Sequence, residues 1–206
     1  MSGPREIVVA SGNPHKAEEI RAILGPLGLA IRSLEEVGGL FPEPEETGRT
    51  FEANARIKAI AYAKATGRTV LADDSGLEVD ALGGEPGVDS AVWAGSHGSR
   101  SERDARNNAK LAERLRGVVA ERRSARFVCC MCLADASGRV LAETRGTFEG
   151  RIADSPRGGS GFGYDPWLWL DDAGCTAAEL DPQRKNARSH RGHAARAMAE
   201  ALRVIA

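Results

Sequence analysis

The sequence predicts an α/β fold, and three stretches predict it. Near the start an apolar strand, Ile7-Val-Val-Ala10, gives way through Ser11-Gly12-Asn13 to a helical pattern and then to a second strand. In the middle, an alanine-rich helix is followed at once by an apolar run that stops at Asp73-Asp74. Further on, a long apolar strand turns back on itself as a hairpin.

Taken in order, the first helix carries Ala17, Ile20, Ile23, Leu24 and Leu27 at helical spacing, so one face is buried, and Gly25-Pro26 ends it. A second strand is expected over 29–34. Phe41 to Gly48 reads as a loop rich in Pro and Glu. Thr50 caps a helix reaching about Thr66, with Glu52 in its favourable first turn and Gly67 at its end. Thr69 to Ala72 reads as a short buried strand that ends in Asp-Asp-Ser-Gly, either a ligand-holding strand end or a turn in which Asp bonds its own backbone. Gly83 to Gly87 is a loop of breakers, and Val88 to Trp93 is a short extended piece or a turn of helix. Ser101 with Asp104 resembles a capping box opening a charged helix to Leu115, closed by Gly117. The Arg cluster there (Arg100, Arg103, Arg106, Arg114, Arg116) alternates with acidic residues and reads as a solvated face. Arg126 to Ala134 is the strongest strand; Asp135-Ala-Ser-Gly138 turns it into Arg139 to Thr144, and 146–152 is expected as a third antiparallel strand. A glycine loop, 157–166, leads into the apolar Trp167-Leu-Trp-Leu170. The last helix starts at Ser189 and buries Ala195, Met198, Leu202 and Ile205.

A chain of 206 residues with 42% hydrophobic residues can build a real core. The net charge of -1 and pI near 6.5 argue against a dedicated nucleic-acid or membrane-surface binder. No apolar run approaches the roughly 20 residues that span a bilayer. The start, Met1-Ser-Gly-Pro-Arg-Glu, carries no expected signal peptide. Cys129, Cys130 and Cys132 crowd one core strand and Cys175 stands apart, which suits reduced, buried thiols in a cytoplasmic protein. A zinc site is the alternative, but no paired C-x-x-C or His spacing accompanies them.

Several stretches carry chemistry. Ser11-Gly-Asn-Pro-His-Lys16 places a glycine turn, a helix N-terminus and a lysine together, which suits phosphate, although it is not a Walker loop. Asn54 and Lys58 are four apart and share a helix face. Asp73 and Asp74 at a strand end could hold a hard cation or activate a water. The loop from Gly158 to Gly163 is not a dinucleotide fingerprint, because Pro166 takes the third glycine's place; Phe162, Tyr164 and Asp165 could stack on a base and read it. Lys185, His190 and Arg191 are donors at or just before a helix N-terminus, where cations do not help the helix, so an anionic or acceptor-rich ligand is expected there.

Six stretches in order resemble the inosine triphosphate pyrophosphatase family, also called Ham1-like proteins. They are Ser11-Gly-Asn-Pro-His-Lys16; Glu45-Glu-Thr-Gly48 with Thr50-Phe-Glu-Ala-Asn54 and Lys58; Ala72-Asp-Asp-Ser-Gly-Leu77; Gly83-Gly-Glu-Pro-Gly-Val88; Gly161-Phe-Gly-Tyr-Asp-Pro166; and Lys185 with Ser189-His-Arg-Gly192. The resemblance implies a long, twisted mixed β-sheet with flanking helices, two lobes around a central cleft, one pyrophosphatase domain over 1–206, and a homodimer. It implies hydrolysis of noncanonical purine triphosphates (ITP, dITP, XTP, dXTP) to the monophosphate and pyrophosphate, which clears damaged nucleotides from the pool. Asp74 matches the family's general base. Asp74 with Glu46, and Glu45 or Asp73, would hold Mg²⁺. Lys16, Lys58 and the turn Ser11-Gly12-Asn13 would hold phosphates, Pro14, His15 and Asn54 would also bind substrate, and Ser75 would hold it beside the base. Phe162 would stack on the purine, Gly163 and Tyr164 would also bind substrate, and Asp165, Lys185, His190 and Arg191 would line the purine's edge, the last two as donors to a 6-oxo group. A Maf-like pyrophosphatase with another base preference would not carry Ser189-His190-Arg191. A non-catalytic nucleotide-binding regulator would have no need of the intact acidic pairs.

Overall fold

The computed structural model describes residues 6–11 and 14–205, without the side chains of Pro14 and His15. Strand β1 (Glu6–Ala10) is followed by helices α1 (Pro14–Leu24) and, after β2 (Ala30–Ser33), α2 (Leu34–Val37) and α3 (Phe51–Thr66). Then come β3 (Val70–Val79), α4 (Arg100–Arg114), β4 (Ser124–Ala134), β5 (Val140–Ile152), β6 (Leu168–Leu170), β7 (Cys175–Thr176), α5 (Pro182–Arg188) and α6 (His190–Ile205). The strands form one seven-stranded sheet in the order β2-β1-β3-β4-β5-β6-β7. It is mixed: β1 pairs in parallel with β2 and β3, while β6 runs antiparallel to both β5 and β7. The α/β expectation with a mixed sheet and flanking helices is borne out.

The chain divides into two compact units. The first holds Met1–Asp74, Cys129–Gly146 and Ser189–Ala206; the second holds Ser75–Val128 and Thr147–Arg188. In the first, Ile7 and Val9 of β1, Leu71 of β3, and Cys129, Met131 and Leu133 of β4 pack with Ile20 and Leu24 of α1 and with Ala194, Ala195, Met198 and Leu202 of α6. β1 is buried from Ile7 to Ala10, on both faces, as a parallel strand covered by helices must be. In the second, Leu77 and Val79 meet Leu111 and Leu115, Phe127, Phe148, Ile152 and Tyr164.

Several boundaries differ from the sequence reading, each for a local reason. Ser33 ends β2 early, because its hydroxyl accepts from the Glu36 N–H while the Glu36 carboxylate takes the Ser33 N–H at 2.6 Å, a capping box that opens α2. The box that opens α4 is Ser99 with Glu102, not Ser101 with Asp104. Val88 to Trp93 is helical turn rather than strand. The expected second and third strands of the hairpin are one strand, β5, running through Gly146. A side chain at Gly146 would collide with His190 O and come within 2.6 Å of Ala194 N, so the glycine admits the start of α6 against the strand rather than breaking it. Lys185 lies in the last turn of α5, a seven-residue helix that the sequence reading passed over.

Asp-Asp-Ser-Gly is not a turn. β3 continues through it for ten residues. Both carboxylates find partners elsewhere, so neither folds back on its own backbone. Beyond them, Ser90 Oγ accepts the Leu77 N–H at 2.9 Å and donates to Gly87 O at 2.6 Å.

Candidate active site

Because β3 carries on as a strand, successive side chains leave on opposite faces. Asp73 and Asp74 therefore take different hydrogen-bond partners, although Lys16 and Lys58 act electrostatically on both.

Asp74 is 8% exposed. Both of its oxygens are engaged by α3, one turn apart: Asn54 Nδ2 donates to Oδ2 at 3.3 Å, and Lys58 Nζ donates to Oδ1 at 3.0 Å. The expected shared face of Asn54 and Lys58 is thus the face turned to Asp74. Asn54 is itself oriented by the Gly48 N–H, which donates to Oδ1 at 2.8 Å, a contact with no signal in the sequence beyond an invitingly placed glycine. Lys58 Nζ also donates to Glu46 Oε2 at 3.0 Å, so one ammonium serves two carboxylates. Burial raises the pKa of Asp74, the neighbouring Glu46 adds to the rise, and the shared Lys58 offsets only part of it. Burial would lower that of Lys58, but Asp74, Asp73 and Glu46 raise it, so the ammonium stays charged. Glu45 is exposed. Among the described residues no three His, Cys, Asp or Glu side chains are grouped as a metal cage.

Asp73 is fully buried on the other face. Lys16 Nζ lies 2.9 Å from its Oδ2, Arg191 Nε 3.6 Å, and the Cys129 thiol 3.9 Å. Burial would raise its pKa; Lys16 and Arg191 outweigh this and hold the carboxyl well below the usual range. Asp73 is the close counterion of two cations, Lys16 and Arg191. Arg191, expected at the edge of a base, is 1% exposed and pairs with Glu19 Oε2 at 2.6 Å. Glu19 went unremarked in the sequence, although it lies one helical turn after Lys16. His190 is buried beside Arg191 at the start of α6. Ser11 follows β1 directly, and Pro14 and His15 open α1; Gly12 and Asn13 lie outside the described residues.

The second unit holds the aromatic loop. Asp165 Oδ2 accepts the Phe162 N–H at 2.8 Å and pairs with Lys185 Nζ at 2.6 Å. A side chain at Gly161 would strike Asp165 Oδ2 and come within 2.9 Å of Lys185 Nζ, so only glycine fits over this buried pair. Tyr164, expected to help read a base, instead packs in the core at 5% exposure, with its hydroxyl donating to Ser90 O at 2.9 Å. Phe162 is half-buried, and Ser75, the first residue of this unit, is half-buried on β3.

The model of the Ham1 family matches residues 7–201. The chain belongs to the Ham1 family. Relatives within it include a dITP/XTP pyrophosphatase of Mycolicibacterium paratuberculosis, 50% identical over 204 residues and 97% of each chain, and one of an Exiguobacterium species, 49% identical over 93% of each. A solved Ham1 structure from Coxiella burnetii superposes with a TM-score of 0.86 at 42% identity, covering 97% of this chain and 98% of its own. The Ham1 resemblance read from six stretches is therefore borne out over nearly the whole chain.

Proposed function

We propose that the chain hydrolyses ITP, dITP, XTP and dXTP to the monophosphate and pyrophosphate, with Mg²⁺ as its cofactor. The names of relatives that match over more than nine-tenths of both chains support the substrate class. The observation that carries the chemistry is Asp74: a buried carboxylate with a raised pKa, held at one oxygen by Asn54 and at the other by Lys58. Such a group is oriented and basic enough to take a proton from an attacking water.

The residues fit Mg²⁺. Asp74 and Glu46 are hard oxygen donors that share the Lys58 ammonium, and Mg²⁺ needs only one or two carboxylates because it keeps waters and takes substrate phosphates. Held by these carboxylates, Mg²⁺ would supply Lewis-acid neutralisation of the triphosphate. Glu45 or Asp73 is the further candidate ligand, Asp73 being the one already paired with Lys16 and Arg191. Lys58 and Lys16 neutralise phosphate charge, with the stretch from Ser11 to Lys16 binding phosphate. Asp73 and Arg191, with Glu19, fix the position of Lys16. Ser75 holds substrate beside the base, Phe162 stacks on the purine, and Asp165, with Lys185 and His190, meets its polar edge. The working form is a homodimer in the cytoplasm.

The test is a panel of nucleoside triphosphates with Mg²⁺, quantifying monophosphate and pyrophosphate. ITP and XTP should be turned over far faster than ATP, and EDTA should abolish turnover until Mg²⁺ is restored. Orthophosphate release in place of pyrophosphate, or full activity in EDTA, sinks the reading.

A further inference from the structure

By sequence alone the arginines of α4 read as a solvated face. The structure assigns one of them to the aromatic loop. Arg100, Asp104 and Asn108 recur every four residues, so they line one stripe of α4. All three address Phe162 and Gly163. Asp104 Oδ2 accepts the Gly163 N–H at 3.1 Å, Asn108 Nδ2 donates to Gly163 O at 3.1 Å, and the Arg100 guanidinium lies 4.7 Å from the centre of the Phe162 ring. Two hydrogen bonds thus lock the helix to the loop, and the third position lays a flat cation on the ring.

The freedom of that cation sets it apart from its neighbour. Lys185 also lies near the ring, 5.3 Å from its centre, but it is buried and held by Asp165 at 2.6 Å. Arg100 is 45% exposed and pairs with Asp104 at 3.8 Å, a loose ion pair that water can replace. A guanidinium is planar and stacks on a nucleobase as readily as on an aromatic side chain. We propose that Arg100 is the movable plate of a base clamp: it rests on Phe162, swings outward by one ring thickness when nucleotide enters, and closes on the purine so that the base lies between ring and guanidinium. Asp104 and Asn108 position the helix that carries it. The proposal rests on the reading that Phe162 stacks on a purine.

The experiment compares wild type, Arg100→Ala and Arg100→Lys with ITP as substrate and with inorganic tripolyphosphate, which has no base, as competitive inhibitor. Arg100→Ala should raise KM for ITP about tenfold, the order lost when one stacked plate is removed, with kcat within about twofold. The inhibition constant for tripolyphosphate should stay put. Arg100→Lys keeps the charge but not the plate, and should recover only part of the loss. An unchanged KM in Arg100→Ala overturns the clamp, as does full recovery by lysine, which would make Arg100 a point charge. Equal weakening of ITP and tripolyphosphate also overturns it, by placing Arg100 on the phosphates. Wild type that turns over neither ITP nor XTP overturns the purine reading itself, and the clamp with it. Melting temperatures of the three chains, expected to agree within a few degrees, exclude misfolding as the cause of a raised KM.

Discussion

The Asp74 carboxylate gives Oδ2 to Asn54 and Oδ1 to Lys58, and shares that lysine with Glu46. Replacing it with asparagine keeps the shape and removes the group proposed as proton acceptor and Mg²⁺ ligand. Asp74→Asn should therefore lose at least about a thousandfold in kcat while melting normally. Its neighbour should answer differently. Asp73 is the buried counterion of Lys16 and Arg191, so Asp73→Asn leaves two cations under-neutralised in the first unit. Breaking a buried pair by removing one partner costs about 3–5 kcal/mol. Urea denaturation of Asp73→Asn should show that loss as a lower midpoint; an unchanged midpoint would mean that Asp73 serves ligand rather than structure. Adjacent aspartates were readable as chemistry from the sequence. Which of them faces which cation was not, because that depends on whether the strand stops or continues, and the continuation is decided by partners up to 118 positions away in Arg191.

At the level of elements, helices with clear ends were read well. Thr50 does cap α3, its Oγ1 accepting the Ala53 N–H at 3.2 Å, and Gly67 does end it in the left-handed region. Elements whose limits depend on a neighbour were read less well. β5 was split at Gly146, since glycine inside a strand pattern ordinarily marks an interruption. Here the missing side chain makes room for the first turn of α6. Gly146→Ala should thus destabilise through a clash with backbone rather than through lost chain freedom, by about 1–3 kcal/mol. Chemical denaturation checks this, and a neutral or stabilising alanine would show that α6 can shift. The stripe of α4 was missed for a similar reason: a four-residue spacing of Arg, Asp and Asn on a polar helix carries no sign of the backbone it binds.

For the molecule as a whole, the carboxylates dictate the response to acid. Glu52 is lowered to about 2; burial works against this, but its own backbone N–H and Arg145 outweigh it. Glu36 and Glu102 are lowered chiefly by the Ser33 and Ser99 backbone N–H groups of their capping boxes, and Asp135 by the Ser137 hydroxyl. Each binds its proton less readily folded than unfolded. Their stabilising share is therefore complete above the unfolded value, about pH 4, and is lost as pH falls through the lower folded values. The melting temperature should hold steady from pH 7 to about 5 and then fall steeply toward pH 2. A flat profile across pH 4 would show that these pairs contribute nothing net. The fold class and the family were legible because they rest on local periodicity and short motifs. The assignment of charges to partners was not, because it is a property of the folded chain.

The thiols of β4 give the molecule a built-in chemical clock. Cys129, Cys130 and Cys132 are buried, and burial pushes the Cys130 and Cys132 thiols up to about 12, far from the reactive thiolate. All three belong to the first unit, while Cys175, half-exposed, belongs to the second. With an alkylating reagent near neutral pH, one equivalent should react promptly, at Cys175, and the other three only as fast as the first unit opens. Mass spectrometry over time then reads the opening rate of that unit in the wild-type chain, with no probe introduced. Prompt labelling of all four would mean that β4 is reached by solvent far more often than its packing implies.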